Sequence, residues 1–69
     1  MDNPFDRLLK HFKFSHLPEH LQVISKDFSE LAHQMAVRCI KDGGDVGETM
    51  AGIRKLLESK DCAVRAAIK

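Results

Sequence analysis

His11, His16 and His20 fall within ten residues of one another, and His16 and His20 stand at i, i+4. Two histidines at that spacing on one helix can hold zinc. Here Pro18 lies between them and no cysteine or carboxylate set completes four ligands, so the expected state is solvated or hydrogen-bonded imidazoles. Cys39 and Cys62 are the only thiols. Neither has a histidine forecast beside it, and no Ser-His-Asp or paired-carboxylate arrangement is visible. The chain is therefore not expected to be an enzyme, and no cofactor or metal is implied.

A different chemistry is offered by "FKFSHLPEHLQ", residues 12–22. The chain has no Trp, no Tyr and four Phe, and two of those Phe stand in this segment. Phe12 continues the apolar face of a short first helix and belongs to the core. Phe14 fits no helical pattern. It sits in an extended stretch beside Lys13, Ser15 and His16. An aromatic held outside a core among polar groups can stack on a nucleobase, with a nearby lysine meeting phosphate. The alternative is that Phe14 tucks under the helices as an apolar staple.

Three helices position these residues. Asn3 can cap, Pro4 suits a first helical position, and Asp6 favours the positive end of a dipole. Phe5, Leu8, Leu9 and Phe12 then follow at helical spacing, giving a short helix over about 4–12. It is too short to stand alone and must dock through those residues. Leu17 precedes a proline and is pushed away from helical angles. Pro18 opens a long helix over about 18–41, with a seam of Leu21, Ile24, Phe28, Leu31, Met35 and Cys39. "KDGGDVG" ends it. Asp45 and Glu48 have capping-box spacing and start a helix over about 47–68, whose seam is Met50, Ile53, Leu57, Val64 and Ile68.

Folded antiparallel, the seams pair Cys39 with Met50, Met35 with Ile53, Leu31 with Leu57 and Ile24 with Val64, one consistent register. That register puts Cys62 level with Lys26, about 18 Å from Cys39 at 1.5 Å per residue, which excludes an intrachain disulfide. Lys60 is out of place, a cation on the apolar rhythm level with Phe28. It is either a register or assembly device or a lysine reaching to solvent. Arg54, Lys55, Arg65 and Lys69, set among Glu58 and Asp61, read as a solvated face.

Each long helix also carries a stripe of small residues: Ser25, Ser29, Ala32 and Ala36 on one, and Thr49, Gly52, Ser59, Ala63 and Ala66 on the other. Two helices leave such faces open. At 69 residues the chain buries a small core. Copies are therefore expected to pack on one another. The fold expected is all-α: a short N-terminal helix plus a long antiparallel hairpin in one domain, residues 1–69, assembling into a compact homo-oligomer. No apolar run spans a bilayer and the start carries no signal-peptide pattern, so the cytoplasm is the expected compartment and no membrane is involved. A formal net charge of +1 and the lack of an Arg- or Asn-rich recognition helix argue against a DNA binder.

"FKFSHLP", then "SKDFSELA", a Gly-Asp turn, and "RKLLESKDCAVRAA" together resemble the phage anti-CBASS nucleotide sponges, a family of small helical-hairpin proteins whose domain is shared with an anti-Thoeris sponge. The likeness covers nearly the whole chain from Phe12 onward. It implies a protein that does no chemistry. Such a protein assembles as a homo-oligomer, commonly a hexamer, in the infected host cytoplasm. Between protomers it sequesters cyclic oligonucleotide alarm signals, cyclic dinucleotides such as cyclic GMP-AMP among them, so that the immune effector is never activated. The family's stacking aromatic maps to Phe14, its ligand lysine to Lys26, and His16 follows the aromatic as in the family. Lys13 stands beside the aromatic. Phe14 replaces the family's Tyr, which keeps the ring face and loses the hydroxyl, and the aromatic-to-lysine spacing is shorter. Three other readings remain beside this one: a cyclic trinucleotide held by basic residues of the last helix such as Arg65, a cyclic ADP-ribose-type ligand, and a non-nucleotide helical adaptor.

Overall fold

The computed structural model describes residues 3–68; Lys69 lies outside them. Its helices are α1, Asp6–Leu9, which runs on into a 3-10 turn at Lys10–Phe12, then α2, Glu19–Asp42, and α3, Val46–Ala67. Described residues extend over 41 × 21 × 16 Å, and the long axis is set by α2, whose 24 residues rise about 36 Å.

Each boundary has a local cause. The Asn3 carboxamide oxygen accepts from the Phe5 N–H at 2.8 Å, and the Asp6 carboxylate accepts from the Asn3 N–H at 3.1 Å. These reciprocal bonds close the turn that leads into α1; the cap residue is Phe5, without a side-chain cap bond, and Pro4 stands in the turn rather than at the first helical position. The proline at 18 stands one residue outside α2 rather than at its first position. Its backbone is extended, with ψ 148°, and its carbonyl accepts from the N–H groups of Leu21 and Gln22. Gly43 ends α2 at φ 69°, the left-handed conformation that costs a glycine nothing and any side chain something. The Gly44 N–H returns to the Cys39 carbonyl at 2.9 Å. Asp45 caps α3, its carboxylate accepting from the Glu48 N–H at 2.8 Å.

α2 and α3 pack along their length, joined by a three-residue turn. Met35 of α2 lies over Gly52 of α3, one residue from the Ile53 with which the seams pair it; an added Cβ at Gly52 would stand 3.2 Å from the thioether methyl. The seam itself is less complete than its rhythm. Leu31 is 46% exposed and Ile68 59%, because Leu31 lies on the flank of α2 and Ile68 falls just past the end of α3.

The N-terminal segment, residues 3–17, forms an arm laid across the hairpin. Phe5 and Phe12 are fully buried and join Ala32, Ala36, Cys39 and Ile53 in one apolar cluster, with Leu8 and Leu9 packed against it. This corrects the expectation for the small stripe of α2. Ser25, Ser29, Ala32 and Ala36 are all buried within the single chain. Ala32 and Ala36 share that cluster with the two phenyl rings of the arm, so the stripe is not an open face awaiting another copy. The stripe of α3 is only partly covered, and Ser59 and Ala66 are exposed.

Lys60 is also buried, at 9% exposure, and does not reach to solvent. Its ammonium donates to the His11 carbonyl at 2.9 Å, lies 5.8 Å from the centre of the Phe12 ring and 3.4 Å from the Asp61 carboxylate. Both thiols are free, Cys39 buried and Cys62 exposed. No helix is long and apolar enough to cross a membrane among the described residues.

Candidate functional site

The arm does not lie flush on α2 along its whole length. Between them runs an open groove of about 1080 Å³, just above the roughly 300–1,000 Å³ of most small-molecule sites. The arm contributes Arg7, Lys10, Lys13, Phe14 and Asp6 to it; α2 contributes Ser29, His33, Ala36 and Val37. Arg7, Lys10 and Lys13 recur every three residues. The chain here passes from a short α-helix into a 3-10 turn, in which i and i+3 eclipse. Lys13 is already extended, and all three cations line the groove; among the described residues Asp6 is the carboxylate in that lining, and its oxygen is already engaged by the Asn3 N–H. In a cleft with an apolar wall, such a surplus raises the local concentration of anions.

Phe14 is half-buried at this groove, neither part of the core cluster nor free of the fold. A tight turn holds it: the Phe14 carbonyl accepts from the Leu17 N–H at 3.0 Å. Phe14 and Lys13 belong to one lining, an aromatic beside a cation, the residue types that base stacking and phosphate contact use. His33 closes the α2 side. Its Nδ1 lies 2.8 Å from the Ser29 carbonyl. A carbonyl can only accept, so Nδ1 carries a hydrogen, and in the neutral ring Nε2 is left as an acceptor.

The five residues singled out from sequence do not converge within one chain. Lys13 and Phe14 line the large groove. His16 and Arg65 line a smaller cleft of about 260 Å³ with Leu17, Lys60, Asp61 and Val64. The Arg65 guanidinium there donates to the Cys62 sulfur at 3.3 Å. Lys26 lines neither. It is exposed on α2, 4.0 Å from Glu30, a solvated pair of little energetic consequence. It lies two turns before His33 on the same helix face, about 10 Å along the axis.

Sequence reasoning missed Arg7, Lys10 and His33. The threefold repeat of cations at 7, 10 and 13 was the available signal for the first two. His33 carried none, since its role depends on where the arm lands. Among the described residues no three His, Cys, Asp or Glu side chains gather as metal ligands. No family model, curated protein or solved structure matches the chain.

Proposed function

We propose that this chain is a nucleotide sponge: a phage anti-defence protein that binds a cyclic oligonucleotide immune messenger and holds it without altering it, so that the CBASS effector it would switch on stays idle. The observation that carries this reading is the groove that joins the Phe14 ring to Arg7, Lys10 and Lys13. The likeness of "FKFSHLP" and "RKLLESKDCAVRAA" to the anti-CBASS sponges supplies the ligand class.

The mechanism follows from valence. A cyclic dinucleotide has two bases and two phosphates. A site on a two-fold axis between protomers offers one Phe14 and one set of cations from each chain. Each ring stacks on one base; Lys13 of each chain, and Lys26 brought in from the partner's α2, neutralise one phosphate. Sequestration then needs no proton transfer and no nucleophile. Assembly into a closed homo-oligomer, a hexamer by the likeness, would draw on the exposed Val23, Leu31, Val37 and Ile40 of α2.

Those same exposed side chains favour a second reading, an assembly module that binds a helix and ignores nucleotides. The two separate on one comparison. Binding of cyclic GMP-AMP is measured for the wild type, Phe14→Ala and Lys26→Ala, with molar mass followed by light scattering. The sponge reading expects capture to be lost in both variants while the assembly keeps its mass. Stacking alone is worth about 1–3 kcal/mol per base. Equal binding by all three proteins overturns the assignment.

A further inference from the structure

Phe14 and Lys13 stand on a segment with almost no core contact of its own, so something must hold it. Two hairpin side chains reach back to it, one at each end. At the start, the Lys60 ammonium donates to the His11 carbonyl, a hydrogen bond across 49 residues of sequence. At the finish, the Gln22 carboxamide donates to the Leu17 carbonyl at 2.8 Å and lies 3.5 Å from that of Ser15. The turn at 13–17 hangs between these points.

Lys60 occupies a position where the rhythm of α3 calls for an apolar side chain, and burying an ammonium is unfavourable unless it is paired. It is paired three ways: with the His11 carbonyl, with the face of Phe12 at 5.8 Å, and with Asp61 at 3.4 Å. The His11 carbonyl lies in the last turn of the 3-10 segment, the negative end where a cation is favoured. An aliphatic residue at position 60 would fill the seam and leave the carbonyl unheld. Phe14 follows the anchored Phe12 by two residues, so its Cα stays within about 7 Å of that anchor. A free arm has no such limit.

We propose that Lys60 and Gln22 are positioning residues: from opposite ends they pin the turn at 13–17 to the hairpin, and so set where Phe14 and Lys13 stand in the groove. The pinning itself is independent of the ligand; only its purpose rests on the nucleotide-capture reading.

Trypsin cleavage without ligand reads the arm directly. Lys10 and Lys13 are exposed in the arm, Arg54 and Lys55 in α3, and cleavage of a folded segment follows its opening. A hydrogen bond from a charged donor is worth about a factor of ten or more in such an equilibrium, and a neutral one about fivefold. Lys60→Met should speed cleavage after Lys10 and Lys13 about tenfold more than cleavage after Arg54 and Lys55. Lys60→Arg, which keeps a cationic donor, should restore most of the protection; a merely space-filling role would not. Gln22→Ala should raise cleavage after Lys13 about fivefold with little effect at Arg54, and it decides the question if Lys60→Met does not fold. Arm and hairpin cleavage rising together, or Lys60→Arg behaving as Lys60→Met, overturns the proposal. The same variants are then titrated with cyclic GMP-AMP. If the wild type binds, affinity should fall in proportion to the closed fraction that each variant retains, and undiminished affinity in a variant whose arm is mostly open shows that the pinning does not position the site. If the wild type does not bind, the sponge reading fails while the cleavage result stands by itself.

Discussion

Among the described residues, Ser25 is the buried side chain whose polar atom has no partner. Its hydroxyl is fully buried and makes no hydrogen bond, a state that costs about 1–3 kcal/mol. Ser25→Ala should therefore stabilise the fold by about 1 kcal/mol, read as a higher urea midpoint with an unchanged slope. Phe12 is the opposite case. Its ring is fully buried and lies under the Lys60 ammonium, so Phe12→Ala should cost about 3–5 kcal/mol, measured by the same titration. How far such residues can be read from sequence depends on the range of their partners. Lys60 was conspicuous as a break in an apolar rhythm. Its partner was not legible, because a backbone carbonyl 49 residues away carries no sequence signature. Phe14 was likewise legible as an aromatic with no helical home, while its place at the edge of a groove was not.

At the scale of elements, the helix ends are where local chemistry speaks most plainly. Asp45→Ala removes the acceptor for the Glu48 N–H and should cost about 1 kcal/mol. Gly43→Ala should cost a similar amount by forcing a side chain into the left-handed region at φ 69°. Thermal unfolding of the two variants checks both. Such features are local in the chain, which is why the all-helical character was legible in the sequence. The error lay in the stripe Ser25, Ser29, Ala32, Ala36. A run of small residues states that something large comes close. It does not state what. The arm's own Phe5 and Phe12 pack against Ala32 and Ala36 there, so the stripe offers no room for a second copy. The Phe pair and the small stripe were both visible; joining them needed the direction in which the arm leaves α2, which is set by the turn at 14–17 and by Gln22 rather than by any periodicity.

At the scale of the whole molecule, a chain of 69 residues leaves Val23, Leu31, Val37 and Ile40 of one helix in solvent. A small domain gains much by covering such residues with its own copy. Light scattering at micromolar concentration should give a mass several times the 7.8 kDa of the chain, and Val37→Glu together with Ile40→Lys should lower it without unfolding the hairpin. Charge acts at this scale too. The net charge of +1 is nearly neutral, yet Arg7, Lys10 and Lys13 are gathered at one groove. Capture of a doubly charged ligand there should weaken as salt rises, since exposed charges are screened beyond about 8 Å at physiological ionic strength.

The central claim is that the assembled protein holds a cyclic oligonucleotide and returns it unchanged. Its most direct test is calorimetric titration of the purified protein with cyclic dinucleotides, cyclic trinucleotides and cyclic ADP-ribose isomers, followed by heating and chromatography of what is released. The account predicts tight binding of at least one cyclic oligonucleotide and its recovery intact from the denatured sample. A folded oligomer that binds none of them contradicts it and leaves Phe14 a piece of packing; recovery of a cleaved nucleotide contradicts it in the other direction, by requiring an enzyme.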